Sequence, residues 1–377
     1  MKILIVGNSF PASRADWVPQ FGYFFVKELI ARGHAVTVVA PERYGNPPDE
    51  GEFKVIRIPA QGVFQKDEGL NFSSLTKIPA MMALDRRVRQ RLDAFLREES
   101  FDLGLALWAF PSGWWLSYAK NAHGLPFITW VLGSDIWKTG RWPVFKNVVR
   151  GILRGSDHIF ADGLELGAEA WRLCGKGVEF LPTSRKLPVA RPVNDPQING
   201  KKLFFFVGRW EHVKGVDVLI KAFAKAKPDK SVLLIYGLGL QENLYRQLIA
   251  GCGAQDFIFL RAQADAQTVA DYCAVAHCCV IPSRNESIPI VLSDALQSYC
   301  PVIVTRVGDM GRLVAEYKFG LGVEADDADG LAAAITRMSQ LNRDHFQEGA
   351  AAAWKVFDIS AAVEKFLSVA RQIALRS

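Results

Sequence analysis

Short apolar runs alternate with amphipathic stretches along the whole chain. The runs are continuously hydrophobic, which is typical of parallel strands covered on both faces. In the first half they fall at 2–6, 35–39, 54–58, 103–107, 126–131, 157–161 and 178–181. Between the first two runs, residues 19–32 place large apolar side chains at helical spacing and are closed by Gly33. The pattern predicts a strand–helix–strand unit followed by further strands of the same kind.

The alternation stops at a proline-rich stretch and then starts again. Residues 187–196 have no periodicity and form the best linker candidate. Further apolar runs follow at 203–207, 232–236, 257–260, 278–281 and 301–304. Helical patterns separate or follow them at 215–227, 241–250, 266–275, 289–299 and 328–340. Two such series predict two doubly wound α/β domains that face each other across a cleft. We place these domains at 1–187 and 201–357, with a linker at 188–200.

Composition is that of a globular protein with reduced thiols. Half of the residues are hydrophobic and 22% are charged. No run approaches the roughly 20 apolar residues of a membrane span, and the start lacks the features of a signal peptide. The six cysteines lack metal-site spacing, and several lie in apolar runs. We therefore expect a cytoplasmic protein without a structural metal.

The net charge of +6 is concentrated in two basic stretches, 86–91 and 138–154. The second has no acid and lies beside tryptophans; its basic residues are Lys138, Arg141, Lys146, Arg150 and Arg154. It favours contact with a phosphate-bearing acceptor or peripheral contact with the inner face of an anionic membrane, and an ordinary solvated helix face is the alternative. Nucleic acid is a weaker interpretation, because the remaining surface is too balanced for a basic groove.

The strongest polar constellation lies at 282–296, where an apolar run ends and a helix is expected to begin. The carboxyl end of a parallel strand and a helix N-terminus are where α/β sheets bind phosphate-bearing ligands. Glu286 is placed to accept hydrogen bonds from hydroxyls, and Asp294 from a second diol of the same ligand. The alternative is that Glu286 caps the helix and Asp294 is an exposed helical acid.

A second loop, within 206–217, also leaves a strand and enters a helix. Its glycines, Gly208 among them, let the backbone approach a ligand. Arg209 offers a planar fork and Lys214 a mobile charge, which together suit a diphosphate. They would matter most as negative charge builds on a departing diphosphate. Surface salt bridging is the alternative.

Taken in order, these segments resemble the donor domain of the group-one glycosyltransferases. The resemblance runs from about 203 to 325. It rests on Gly-Arg…Lys-Gly-Val-Asp at 208–217, Tyr-Gly-Leu-Gly at 236–239, Pro-Ser-Arg-Asn-Glu…Asp-Ala-Leu at 282–296 and Pro-Val-Ile-Val-Thr…Val-Gly at 301–308. The opening strand–helix unit is similar to the family's acceptor domain. The resemblance implies a GT-B fold with a last helix, at 358–377, that packs back toward the first domain.

The resemblance also implies roles for the polar residues of the two loops. Arg209 and Lys214 would hold the donor diphosphate, Glu286 would contact the sugar hydroxyls, and Asp294 would take the ribose. Backbone groups near Gly208 and at Ser287, Ile288 and Pro289 would contact sugar and phosphate. Asp294 is one methylene shorter than the family's usual glutamate, and Ser-Ile-Pro replaces a glycine-containing run.

In the first domain the resemblance implies two site residues. Gly22 would let the first helix approach the donor phosphates, unless it is a packing glycine. Asp135 lies in a segment similar to the family's His-Gly-Ser-Asp and would face the acceptor, unless it caps the following turn. Leu132 stands where many members have histidine, so a role of that histidine is not transferred.

The implied activity is metal-independent hexosyl transfer from a nucleotide-diphosphate sugar, with retained anomeric configuration and no protein nucleophile. UDP- or GDP-sugars are the expected donors, no further cofactor is expected, and the acceptor is a sugar or lipid-linked glycan in polysaccharide or glycolipid synthesis. Two alternatives stay open: a GT-B-fold sugar-nucleotide epimerase and a non-catalytic sugar-nucleotide-binding protein. Asp327-Ala-Asp329 spells a metal-binding motif, but helix capping explains it better.

Overall fold

The computed structural model describes residues 1–11, 20–42, 51–63, 78–137 and 143–376, with the side chains of 143 and 144 excepted. The chain divides into two compact units, and each is described by itself. The first contains Met1–Pro182 and the chain from Ile359 onward, and the second is Thr183–Asp358.

A parallel sheet forms the centre of the first unit. Its strands are β1 (Lys2–Gly7), β2 (Ala35–Pro41), β3 (Lys54–Ile58), β4 (Leu103–Leu107), β5 (Phe127–Val131), β6 (His158–Ala161) and β7 (Glu179–Phe180). They are ordered β3-β2-β1-β4-β5-β6-β7, with all neighbours parallel. β4 and β5 are buried over their whole lengths, as their unbroken apolar sequences predict. The chain order reverses between β1 and β4, so this is the switch point of the sheet.

Helices accompany these strands. They are α1 (Phe21–Ala31), α2 (Ile78–Glu98), α3 (Trp114–His123), α4 (Ser134–Trp137), α5 (Pro143–Gly155) and α6 (Leu164–Cys174). α2 shows why such sequences form surface helices: Leu84, Val88, Leu92 and Phe95 recur every three or four residues and are its buried side chains. A π-helical turn at Ala109–Gly113 joins β4 to α3.

The second unit is built on another parallel sheet. Its strands are β8 (Lys202–Val207), β9 (Ser231–Tyr236), β10 (Ile258–Arg261), β11 (Cys278–Ile281), β12 (Val302–Thr305) and β13 (Gly320–Val323). They are ordered β10-β9-β8-β11-β12-β13, so the switch point lies between β8 and β11. β13 is not among the strands that the sequence predicts, because its Gly-Leu-Gly-Val composition lowers strand propensity.

The second unit, which the structure describes in full, has seven α-helices, of which five match the predicted patterns, whereas those at Met310–Tyr317 and Gln347–Phe357 were not predicted. The seven helices are α7 (Val216–Ala226), α8 (Glu242–Gly251), α9 (Ala266–Val275), α10 (Ile290–Gln297), α11 (Met310–Tyr317), α12 (Ala328–Gln340) and α13 (Gln347–Phe357). Asp265 caps α9 by accepting from the Thr268 N–H at 2.7 Å, and Asp327 caps α12 by accepting from the Gly330 N–H at 2.8 Å. The capping interpretation of Asp327 is confirmed.

The last helix, α14 (Ile359–Ala374), belongs to the first unit although it follows the second in sequence. Its Phe366 packs edge-on against Phe25 of α1, with ring centroids 5.3 Å apart. Arg32, just after α1, donates a hydrogen bond to the Ser360 carbonyl at 3.3 Å. α14 therefore completes the core around α1.

The two doubly wound parallel sheets confirm the predicted fold class for each unit. The segment that precedes β8, from residue 183, is grouped with the second unit, earlier than the domain boundary expected at 187. Hydrogen bonds explain the difference, because the Leu187 N–H donates to Gln297 at 3.1 Å and the Arg191 N–H donates to Asp271 at 2.7 Å. Among the described residues, no helix has both the length and the apolar character needed to cross a membrane.

Candidate functional site

The candidate site of the second unit lies at the carboxyl ends of β8 and β11. These strands are neighbours and flank the switch point of the sheet. The loop 208–215 leaves β8 and enters α7, and the loop 282–289 leaves β11 and enters α10. Ligands of open α/β sheets bind at this kind of edge, so the fold brings together the two loops singled out in the sequence.

The two loops are packed directly on each other. The Arg284 N–H donates to the Val213 carbonyl at 2.8 Å. Gly215 has a φ of +66°, and a Cβ there would overlap the carbonyl oxygen of Pro282. Glycine is required at this position both by the left-handed backbone and by the close approach. This close contact fixes the position of one loop relative to the other.

Lys214 and Glu286 are brought into an ion pair between the two loops. Their side chains are 19% and 18% exposed, so the pair is largely but not fully shielded from water. A short 3-10 turn at His212–Lys214 places the lysine at this position. An ammonium and a carboxylate side by side offer a ligand one cationic donor and one anionic acceptor.

Arg209 does not join this pair. Its side chain is 62% exposed, and its guanidinium forms an ion pair with Glu211 at 2.7 Å. Surface salt bridging, the alternative for this loop, is therefore present at Arg209. Lys214 instead pairs with Glu286, the acid predicted to contact the sugar. A role of Arg209 at a diphosphate remains a prediction.

Arg284 holds the site together and is a residue that the sequence analysis missed. Its two terminal nitrogens donate to the Asp217 carboxylate at 2.9 and 2.8 Å, and its Nε donates to Asp326 at 2.6 Å. It also donates to the His212 carbonyl, two residues before Lys214. The Asp217 hydrogen bonds hold the pKa of Arg284 above its ordinary value. The only signal in the sequence is a basic residue two positions before Glu286, and this signal does not identify the partners of Arg284.

Asp294 is buried, although both interpretations of the sequence treat it as an accessible acid. It lies inside α10 with a side chain only 1% exposed, which excludes the exposed helical acid. Both carboxylate oxygens accept from Arg185, at 2.9 Å from Nε and 2.7 Å from Nη2. The ribose contact expected of Asp294 therefore meets an acid that is already paired. No sequence pattern links residues 185 and 294.

The segment from Ser287 to Pro289 forms the entrance to α10. Ser287 and Ile288 are buried, and Pro289 is the extended N-cap residue that precedes the helix. A Cβ on Gly308 would overlap the Glu286 carbonyl and lie 2.6 Å from that of Ser287. Gly208 is fixed on the other loop, where its N–H donates to the Tyr236 carbonyl at 3.1 Å. The backbone of both loops is thus held by close packing.

In the first unit, Gly22 lies in the first turn of α1 and is buried. A Cβ there would come within 3.2 Å of the Phe10 ring and 3.5 Å of Leu107. This crowding is what a packing glycine shows. Its suggested approach to donor phosphates stays a prediction.

Asp135 is buried in the first turn of α4, after β5. Its carboxylate accepts from the Ala109 N–H at 2.7 Å and from the Leu132 N–H at 3.3 Å. Burial raises its pKa to about 6, against the opposing effect of these backbone N–H groups. These contacts tie the carboxylate to the backbone that follows β4 and β5, and both the acceptor-side role and the capping alternative stay predictions.

Part of the basic stretch at 138–154 is used inside the first unit. Arg150 and Arg154 donate from Nε to the carbonyls of Leu173 and Cys174, each at 3.0 Å, at the C-terminal end of α6. Cations at this position satisfy terminal carbonyls and oppose the helix dipole. Lys138 and Arg141 lie outside the described residues. The stretch therefore gives weaker support for a membrane-facing surface than its sequence suggests.

Two family models match the chain and together account for most of both units. The model described as glycosyl transferases group 1 matches residues 193–352, and a glycosyl transferase 4-like domain matches residues 25–172. The chain belongs to the group 1 glycosyltransferase family. The first match spans both loops of the candidate site. The second begins within α1, after Gly22, and includes Asp135.

Among the relatives of this glycosyltransferase chain is TuaC of Bacillus subtilis, named as a teichuronic acid biosynthesis glycosyltransferase. It is 24% identical over 366 residues, which cover 89% of each chain. A D-inositol 3-phosphate glycosyltransferase of Nocardiopsis dassonvillei is 31% identical over 170 residues, 42% of this chain and 39% of its own length. That second similarity therefore extends over less than half of either protein.

Solved structures with the same fold cover the whole chain. Sucrose-phosphate synthase from Thermosynechococcus elongatus aligns with a TM-score of 0.78 at 20% identity, over 100% of both chains. The Anabaena protein HepE, solved in complex with UDP-glucose, aligns with a TM-score of 0.71 at 14% identity, over 100% of this chain and 99% of its own. At these identities the likeness shows the fold, which is that of the GT-B glycosyltransferases.

Proposed function

We propose that this glycosyltransferase moves a sugar from a nucleoside-diphosphate sugar to a sugar or lipid-linked glycan acceptor, with retained anomeric configuration, in polysaccharide or glycolipid synthesis. The observation that carries the proposal is the Lys214–Glu286 pair at the switch point between β8 and β11. The site offers one cation and one carboxylate at an edge where α/β sheets bind ligands.

Lys214 suits the diphosphate of such a donor, and Glu286 suits its sugar. Lys214 would neutralise diphosphate oxygens, and exposed Arg209 would reach the same group after releasing Glu211. Glu286 would accept hydrogen bonds from sugar hydroxyls. The entrance of α10, at Ser287 to Pro289, adds the backbone N–H groups and positive dipole end that stabilise bound phosphate.

Retention follows if the acceptor attacks from the face that the diphosphate leaves. The bond between the anomeric carbon and the phosphate oxygen breaks, and the new glycosidic bond forms on the same face. The acceptor hydroxyl proton goes to an oxygen of the departing diphosphate, so no protein nucleophile is used. Lys214 and Arg209 would stabilise the charge that develops on the leaving group, which makes the proposed reaction independent of a metal.

The donor and acceptor classes rest on the relatives. Solved structures of the same fold contain UDP and UDP-glucose, which favours a UDP-sugar over a GDP-sugar as the first candidate. TuaC, named for teichuronic acid synthesis, favours a growing polysaccharide as acceptor. Contact with a membrane surface is part of this proposal only for a lipid-linked acceptor.

The decisive experiment is a thermal-shift panel of UDP-, GDP-, ADP- and TDP-sugars on the wild type, Lys214→Met and Arg209→Ala. The matched control is Lys225→Met, since Lys225 is paired with Asp329 on the surface of the same unit. A ligand at about 100 times its dissociation constant stabilises by roughly 2.7 kcal/mol. We expect one nucleotide class to stabilise the wild type and the control, and to stabilise Lys214→Met much less.

The outcomes separate the alternatives. Stabilisation followed by release of nucleoside diphosphate with a glycan acceptor supports the transferase. Donor that is converted to its epimer without an acceptor indicates an epimerase. Donor that binds and is never consumed indicates a non-catalytic binding protein. No stabilisation by any nucleotide sugar would contradict the proposed donor site.

A further inference from the structure

The second sheet ends at β13, and the outer edge of this strand is open. In the described part of the chain, β13 pairs only with β12. The Arg306 N–H, just after β12, donates to the Val323 carbonyl at 2.7 Å. Since the residues that bond to a neighbour alternate along a parallel strand, Gly320 and Gly322 turn their N–H and C=O groups away from β12. Unpaired groups of this kind are a template for another chain.

The open edge lies in a groove of about 520 Å³ between two helices, which we call the β13 groove. α11 leads into β13 and α12 leaves it, and both helices line the groove. α11 contributes Gly311 and Ala315, and α12 contributes Ala333 and Ala334. These small side chains leave room for an extended backbone beside the strand.

Two cations that line the β13 groove have no acidic partner. Lys318 follows α11 directly before the strand, and Arg337 lies in the last turn of α12. Both are exposed, and among the described residues neither side chain forms an ion pair or a hydrogen bond. The acids of the groove are already engaged, because Glu324 pairs with Arg306 at 2.8 Å and Asp327 caps α12. The groove therefore offers positive charge that its own residues do not neutralise.

We propose that the β13 groove binds an extended acidic peptide segment of another protein, which adds to the second sheet as a further strand. Gly320 and Gly322 exchange main-chain hydrogen bonds with this peptide, and Lys318 and Arg337 bind its carboxylates. The inference does not depend on the proposed donor site, because β12 separates β13 from β11.

The chemistry of the edge favours a peptide over two other occupants. An extended backbone uses the outward N–H and C=O groups alike, whereas a free phosphate uses only the N–H groups. A second copy of this chain brings no free carboxylate to the two cations, since Glu324 and Asp327 are engaged in each copy. Both cations lie toward the start of β13, because Lys318 precedes the strand and α12 packs back along it. The acids of the peptide are therefore expected at one of its ends.

The first test selects peptides of about ten residues from a random display library on the full chain, at about 0.15 M salt. Each selected peptide is labelled with fluorescein and titrated with the wild type and with the double variant Lys318→Glu, Arg337→Glu. The matched control is Lys221→Glu, Lys230→Glu, which changes the net charge equally at two exposed lysines outside the groove.

We expect the selected peptides to carry acids at one end. The groove variant should bind them at least about tenfold more weakly than the wild type, and the control should bind them within about twofold. Peptides that bind the groove variant as tightly as the wild type would overturn the proposal, as would a selection that yields no binding peptide.

The second test asks whether the peptide adds as a strand. Gly322→Pro removes an outward N–H and no hydrogen bond to β12, and edge strands accept proline at such positions. This variant should bind the selected peptides at least about tenfold more weakly, and its melting curve shows whether the second unit is folded. N-methylation of alternate peptide amides should abolish binding for one set and change it less than about threefold for the other. Equal effects of the two sets would overturn strand addition, and this series needs no change in the protein.

Sedimentation velocity without peptide tests a second copy as the occupant. We expect the same oligomeric state in the wild type, in Gly322→Pro and in the groove variant. A dimer of the wild type that either variant dissociates would assign the edge to a second copy and overturn the peptide as its partner.

Discussion

The Arg284 guanidinium and the Asp217 carboxylate form two parallel hydrogen bonds, of 2.9 and 2.8 Å, between the loop after β11 and the first turn of α7. The same guanidinium donates to the carbonyl of His212, which lies two residues before Lys214. Glu286 lies two residues after Arg284. This clamp sets the distance between the two charged groups of the candidate site.

Arg284→Lys should slow sugar transfer more than it weakens donor binding. A lysine has one compact charge and cannot reproduce the fork, so the two loops lose their fixed spacing. Displacements of about 1 Å at a reacting centre cost up to roughly 100-fold in rate. Steady-state kinetics should show a lower kcat with a smaller change in KM. The control is Arg246→Lys, because Arg246 pairs with Glu242 on the exposed face of α8. Equal loss in both variants would contradict the clamp.

Glu286→Gln should have opposite effects on diphosphate binding and on transfer. Lys214 loses its anionic partner, so its charge is more available to phosphate, and nucleoside diphosphate should bind about two- to fivefold more tightly at low salt. Transfer should fall by roughly 10- to 100-fold, since a charged acceptor for the sugar hydroxyls is lost. Calorimetry and initial rates measure the two effects.

The control for this pair is Glu324→Gln, since Glu324 pairs with Arg306 on the surface beyond β13. That variant should leave both quantities within twofold of the wild type. Weaker diphosphate binding in Glu286→Gln would show that the acid does not compete with phosphate for Lys214.

Gly215→Ala should destabilise the second unit far more than Gly253→Ala. Both glycines have left-handed backbones, with φ values of +66° and +61°. A Cβ at Gly253 meets nothing within 4 Å, whereas one at Gly215 overlaps the Pro282 carbonyl. We expect a loss of about 1 kcal/mol for Gly253→Ala and at least about 3 kcal/mol for Gly215→Ala. Urea unfolding measures both, and equal losses would show that the loops separate easily.

The buried Asp135 should give the first unit a specific pH dependence. Its pKa is about 6 in the folded chain against an ordinary value of 3.8, so between these values the folded chain holds a proton that the unfolded chain has released. This stabilisation is fully present below the lower value and is lost as the pH rises through about 6. The loss amounts to roughly 3 kcal/mol.

Asp135→Asn isolates this contribution, because the other titrating groups are unchanged. Calorimetric melting at pH 4.5, 5.5, 6.5 and 7.5 should show that the wild type loses stability relative to Asp135→Asn up to about pH 6.5 and not beyond. A difference that is constant with pH would show that Asp135 is not protonated in the folded chain.

The fold was predictable because its strands are continuous apolar runs and its helices show a clear period. β13 was not predicted because two of its four residues are glycines. The site was predictable only as two loops, since strand ends and helix starts are local features. Which charges meet is not local. Arg185 and Asp294 are 109 residues apart, and Arg284 and Asp217 are 67 residues apart. Pairing at that separation is decided by the sheet order, not by spacing along the chain.

The membership of α14 in the first unit has a consequence for synthesis. A ribosome releases the amino-terminal strands first, but Phe25 obtains its partner Phe366 only after the entire second unit has been translated. Domains generally fold as units during synthesis. Here the second unit is free to complete its core before the first does. A nascent chain stalled before Ile359 would therefore present an apolar face of α1 to chaperones, while its second sheet is already closed.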